Sequence, residues 1–138
     1  MENQVKEALQ YYAKGYTCAQ AVMCAYADEM DIDKTIFYKM AEGFGGGCGG
    51  MQEICGAVSA AFAIISFHYS DGNLDDGKSM RKTYAKIREA AGLFKEEFGS
   101  IVCKEVLDGN KPQAFKCGKK VRVAAEIVDR IITNNQLN

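Results

Sequence analysis

Residues 54–68 read ICGAVSAAFAIISFH, apolar around nearly the whole circumference that a helix would present. A helix of that kind is one that other helices surround. The stretch falls short of the roughly 18 to 20 apolar residues that cross a bilayer and has polar loops at both ends, so it reads as a buried central helix with no membrane insertion. The expected fold is therefore an all-α bundle organised around this segment.

Upstream lies the run Gly43, Phe44, Gly45, Gly46, Gly47, Cys48, Gly49, Gly50. Regular helix is disfavoured there, because each interior glycine costs up to about 1 kcal/mol relative to alanine. A glycine-rich loop therefore leads into the central helix. Nearer the N-terminus, Val5, Ala8, Leu9 and Tyr12 share one face of a first helix that Gly15 ends. Thr17 is the expected N-cap of a second helix, in which Cys18, Ala21, Val22 and Ala25 recur on one face. Asp33 is placed to cap a third helix through about Glu42, with Ile36, Phe37, Met40 and Ala41 as its apolar side.

Downstream, Asp71, Gly72 and Asn73 mark a turn, and Met80, Tyr84, Ile87, Ala91, Phe94 and Phe98 form the stripe of a long amphipathic helix. Gly99 and Ser100 break it. Ser100 is expected to cap a short helix that holds Ile101, Val102, Cys103, Val106 and Leu107 and stops at Gly109. A last helix begins between Pro112 and Gly118 and buries Val121, Ala124, Ala125, Val128, Ile131 and Ile132. With no hairpin pattern and no internal repeat, one domain of six or seven helices over residues 1–138 is expected.

Composition narrows the function. A chain of 138 residues can bury a sufficient core without disulfides. Its 17 Lys and Arg against 18 Asp and Glu argue against a nucleic-acid partner. The first ten residues mix Glu2, Lys6 and Glu7 with apolar residues, unlike a secretory signal, so the expected compartment is cytoplasmic. There, six cysteines read as reduced thiols, metal ligands or a redox site rather than as a disulfide framework.

Cys18, Cys55 and Cys103 each fall in the first turn of a different expected helix, where unpaired N–H groups and the dipole favour a thiolate. Cys48 lies in the open glycine loop, and Cys117 points to the same face as Val121. Cys24 lies about 120° around its helix from Cys18 and reads as core. For each cysteine the competing reading is packing, since cysteine is among the most buried residue types.

No CxxC occurs, which removes zinc ribbons, thioredoxin-type sites, ferredoxin spacing and covalent haem attachment. Any metal site must be assembled from distant segments. A GxGxxG at Gly45, Gly47 and Gly50 follows a helical pattern where a dinucleotide site requires a strand, and no GK[ST] closes a phosphate loop. His68, the single histidine, reads as a packed or capping residue.

The order Gly15, Tyr16, Thr17, Cys18, Ala19, Gln20, Ala21, then Gly43, Phe44, Gly45, Gly46, Gly47, then Cys55, Gly56, Ala57, then Cys103 and Cys117 resembles a bacterial family of redox-active proteins with a CGAxxG motif, the C_GCAxxG_C_C family. The similarity runs through nearly the whole chain. It implies that Cys18, Cys55, Cys103 and Cys117 are the four family cysteines, with Cys24 and Cys48 as extras. Ala60 stands where the motif has its last glycine. The resemblance also implies a redox role and a partner associated with a transporter. Related domains in split-Soret cytochromes accompany an iron–sulfur centre as well as haem, whose motif this chain lacks.

Four thiolates are what an iron–sulfur cluster or a closed zinc site requires. An iron–sulfur cluster, with zinc as second choice, is therefore expected on those four residues, Cys48 replacing or assisting one of them. Gly45, Gly46, Gly47 and Gly56 are expected to line the cofactor, with loop N–H groups donated to its sulfurs. Two other readings stay open: a metal-free thiol–disulfide protein, and a structural or partner-binding domain with packed cysteines. The redox partner is not legible, and the apolar central helix makes a homodimer a candidate.

Overall fold

A computed structural model describes residues 2–106 and 117–137. Among them seven helices follow in order: α1 (Glu2–Ala13), α2 (Cys18–Ala25), α3 (Lys34–Glu42), α4 (Gly56–Tyr69), α5 (Met80–Phe98), α6 (Cys103–Val106) and α7 (Gly118–Leu137). The protein is an all-α bundle. The one strand-type pairing among the described residues is an isolated antiparallel bridge between Ile54 and Val102.

The starts of α2 and α3 are set by local chemistry. Thr17 Oγ1 accepts from the Gln20 N–H at 3.1 Å while Gln20 Oε1 accepts from the Thr17 N–H at 3.0 Å, a reciprocal cap that satisfies two donors a helix start would otherwise leave unpaired. Asp33 Oδ1 accepts from the Thr35 N–H at 2.8 Å. Ser100 behaves differently from the sequence expectation. Its Oγ accepts from the Val102 N–H at 3.0 Å, and Ile101 and Val102 stay outside the helix, which begins at Cys103. Leu107, Gly109 and Pro112 lie outside the described residues.

The centre is α4, which packs against α2, α5 and α7, while α1 lies on α2 and α7. Val58, Ala61, Ile64 and Ile65 are fully buried, and each large side chain among them stabilises the fold by roughly 1.5–3 kcal/mol. On α7 the expected face is buried throughout, from Val121 to Ile132. Two tyrosines fasten it: Tyr69 Oη donates to the Ile131 carbonyl at 3.0 Å, and Tyr26 Oη to the Asp129 carboxylate at 2.6 Å with the Ala125 carbonyl at 2.9 Å.

Three expected faces differ in detail. Helix α4 is not covered all round, since Phe67 is 54% exposed; its neighbours take three sides and leave the fourth open. On α3, which packs on α2, Phe37 and Ala41 are buried but Ile36 and Met40 face outward. On α5 the buried line runs through Thr83, Ala90 and Phe94, so Met80 and Tyr84 are exposed. No described helix is long and apolar enough to cross a membrane.

Candidate functional site

The bridge at Ile54 and Val102 is what brings two cysteine segments together. The Cys55 N–H donates to the Ile101 carbonyl at 2.7 Å, the Cys103 N–H to the Glu53 carbonyl at 2.5 Å, and the Lys104 N–H to the Gln52 carbonyl at 3.2 Å. Residues 52–55 and 101–104 thus run side by side, and Cys55 and Cys103 lie at adjoining positions. Cys55 is the N-cap of α4, Cys18 is the first residue of α2, Cys103 opens α6, and Cys117 immediately precedes α7.

The glycine loop closes over these helix starts. Gly46, Gly47, Cys48, Gly49 and Gly50 all have positive φ, between 62° and 75°. Such a left-handed turn costs an L-residue about 1–2 kcal/mol per position and costs glycine little. At Gly47 close approach adds a second demand, since a Cβ there would lie 2.6 Å from Cys103 Cβ and 2.7 Å from Gln52 Cα. At Gly56 a Cβ would land on the Phe44 carbonyl oxygen and lie 2.9 Å from Cys18 Sγ. Gly45 packs equally tightly on the Thr17 side chain. The loop and the starts of α2 and α4 therefore meet around the sulfurs with no room for a methyl group.

Burial sets the ionisation of these thiols. Burial raises the Cys18 thiol pKa, repulsion from Cys117 and Cys103 adds to it, and the N–H groups of Gly46 and Ala19 oppose the rise. Burial pushes Cys55 up to about 12, with Cys18 and Cys103 adding and the N–H groups of Val58 and Ala57 opposing. Cys103 is raised by burial, then by Cys117 and Cys48, against the nearby Lys120 ammonium. Cys18, Cys55 and Cys103 thus each have another thiol nearby. Cys48, half-buried and the one non-glycine in the left-handed turn, also holds a weak Sγ contact to the Ile54 carbonyl at 3.9 Å.

The remaining cysteine stays apart, as expected. Cys24 is pushed up to about 11 by burial, its charged neighbours are Lys34 and Glu7, and its thiol faces the Lys34 carbonyl at 3.9 Å. His68 is half-buried near the end of α4, packed edge-on to Phe67, and burial lowers its pKa.

The expectation of ready thiolates at these helix ends is not met. Desolvation disfavours the anion more than a few N–H groups favour it, and α6, with four residues, contributes little dipole to Cys103. Among the described residues no three His, Cys, Asp or Glu groups stand close enough to hold an ion as they are. The residues that could hold a thiophilic ion are the cysteines Cys18, Cys55, Cys103 and Cys117, whose sulfur donors suit such metals.

Three polar residues at the site escaped the sequence reading. Gln20, buried, ties α2 to α3 by donating from Nε2 to the Tyr38 carbonyl at 3.1 Å; the Thr17-x-x-Gln20 capping pattern was the signal for it. Lys120, 5% exposed, sits near Cys103 and over the Phe98 ring. Tyr12, which the helical stripe assigned to the core, lies near the Cys117 and Cys18 thiols. Neither Lys120 nor Tyr12 carries a local motif.

Comparison with curated proteins and with solved structures gave no match. The family described as "Putative redox-active protein (C_GCAxxG_C_C)" matches residues 16–131. That span contains every cysteine and the glycine loop. With the match covering most of its length, the chain belongs to the redox-active C_GCAxxG_C_C family.

Proposed function

We propose that this chain is an electron-transfer or redox-sensing protein whose centre is an iron–sulfur cluster on Cys18, Cys55, Cys103 and Cys117, with Cys48 as an accessory sulfur beside Cys103. The observation that carries the reading is the backbone pairing of residues 52–55 with 101–104, which sets Cys55 beside Cys103, together with the close approach of Gly56 to Cys18 and of Gly47 to Cys103 under the glycine loop. Burial disfavours a lone thiolate at Cys18, Cys55 and Cys103, and a shared cation would offset that desolvation. The cluster, when bound, supplies one-electron chemistry at iron.

The chain's own groups divide the remaining work. The N–H groups of Gly46, Ala19, Val58 and Ala57 favour anionic sulfur at Cys18 and Cys55. Lys120 adds positive charge near Cys103. Gly47 and Gly56 keep the loop and helix starts close. Each thiol that becomes a ligand gives up its proton, so affinity rises with pH. Zinc would use the same ligands without redox change at the metal.

A second reading is a metal-free thiol–disulfide protein, for which Cys18 and Cys117, at the starts of α2 and α7, are the candidate pair. In it the two thiols join as a disulfide, releasing two protons and passing two electrons to the disulfide of a partner protein. The test is iron, zinc and acid-labile sulfide determination, with visible absorption, on protein isolated anaerobically. A brown protein is expected, with iron and sulfide lost on replacing Cys18, Cys55, Cys103 or Cys117 by Ser and kept in Cys24→Ser. A colourless wild type free of iron and sulfide overturns the cluster reading, and reversible loss of two titratable thiols then supports the dithiol.

A further inference from the structure

We propose that the uncharged groove between α3 and α4 is the interface of a homodimer, the same face of a second copy closing over it about a two-fold axis. The inference stands apart from what the thiols hold.

The groove follows from how the helices stack. Both α3 and α4 pack on α2, so a channel runs between them, lined by Ala19 and Met23 of α2, Ala41 and Phe44 on the α3 side, and Ala60 and Ala63 of α4. It encloses about 50 Å³. Large apolar side chains flank it. Ile36, Met40 and Phe44 recur four residues apart along one bank, and Phe67 stands one turn beyond Ala63 on the other. These four are between 46% and 58% exposed.

Charge sets this face apart. Residues 54–70 contain no Asp, Glu, Lys or Arg, whereas α1, α5 and α7 each carry several. The outer side of a surface helix is normally charged or polar, yet the open side of α4 is formed by Ser59, Ala63, Ser66 and Phe67. An isologous interface must be complementary to itself, and a face without charge meets its own copy with no like-charge clash. A helix that lies on an anionic lipid surface would instead carry Lys and Arg beside its apolar face, which α4 lacks.

The area is of the right order. Side chains of this size carry about 150–250 Å² each, so four that are about half exposed leave roughly 400 Å² of apolar surface. A stable dimer takes about 800 Å² from each partner, of which about 56–65% is apolar. One copy therefore needs roughly 450–500 Å² of apolar surface, which the four flanking side chains and the exposed Ala63 nearly supply.

The test is sedimentation of the reduced full chain at about 100 µM, above the micromolar constants that interfaces of this area reach. Wild type, Ala63→Glu, Met40→Lys and Ala85→Glu are compared, with helix content followed by circular dichroism. Wild type is expected at twice the 15.1 kDa of the chain. Ala63 and Met40 are exposed, so charging them spares the core of each copy but buries like charges in the interface. The dimer dissociation constant should rise at least about 100-fold in both variants. Ala85→Glu, the same substitution on the exposed side of α5, should leave it unchanged. If Ala63→Glu loses helical signal, Met40→Lys carries the comparison. A dimer that both charged variants leave intact has its interface elsewhere and overturns the proposal. A monomeric wild type overturns it as well, and flotation of that monomer with phosphatidylcholine vesicles would reassign the face to lipid.

Discussion

Replacing Gly56 by alanine should destabilise this protein, although the same change in most helices does the reverse. Alanine is favoured over glycine in a helix by up to about 1 kcal/mol, and at Gly92 in α5, where an added Cβ meets nothing within 4 Å, a gain of about 0.5–1 kcal/mol is expected. At Gly56 the added methyl would strike the Phe44 carbonyl oxygen, which belongs to backbone, and press on Cys18 Sγ at 2.9 Å. Overpacking of this kind costs typically about 1–3 kcal/mol. The net loss at Gly56 is then about 1–2 kcal/mol, and the two variants should diverge by about 2 kcal/mol, or several degrees in Tm. Urea melts of wild type, Gly56→Ala and Gly92→Ala under reducing, anaerobic conditions measure the difference, and alkylation of Cys18 reports whether its packing has opened. If Gly56→Ala gains stability alongside Gly92→Ala, the close packing of loop, α2 and α4 around the sulfurs is wrong.

Cys48→Gly should raise stability by about 1 kcal/mol in denaturant melts, because it relieves a left-handed L-residue at φ 68°; a loss would show that the thiol's contacts outweigh the strain. Tyr26→Phe should lower stability by about 1–3 kcal/mol, since it leaves the Asp129 carboxylate and the Ala125 carbonyl without their donor; an unchanged thermal melt refutes that. The reduced, metal-free chain should weaken as pH rises above about 8.5, where an unfolded thiol ionises. Cys55, held up to about 12, and Cys24, held up to about 11, keep their protons in the fold. The unfolded state releases protons first, so their stabilisation is complete below the unfolded pKa and is lost upward through the folded values, at up to about 1.4 kcal/mol per pH unit for each thiol. Urea melts at pH 8 and pH 10 should differ accordingly, with a smaller difference in Cys55→Ala; equal stabilities would contradict the raised thiol pKa values.

Much of the bundle was written in neighbouring residues. Thr17 and Asp33 cap as their chemistry dictates, residues 54–68 contain most of the central helix, and the stripe from Val121 to Ile132 is buried as its spacing requires. These features depend on hydrogen bonds and periodicities within a turn or two of helix, which a sequence displays directly. The left-handed turn at Cys48 was legible only as a place where helix fails, because glycine content shows conformational freedom without its direction. Faces whose covering depends on a neighbour were less legible, as Phe67, Ile36 and Met80 show by lying exposed.

At the candidate site the sequence by itself determined the donor chemistry: thiols at helix starts beside a glycine run, in the order shared by the family. Tertiary structure decided which of them meet. The pairing of Cys55 and Cys103 depends on the Ile54 and Val102 bridge, a contact between segments far apart in the chain that no local pattern encodes. It also reversed the expected ionisation, because desolvation is a property of everything packed around a sulfur and here exceeds the pull of the few N–H groups next to it.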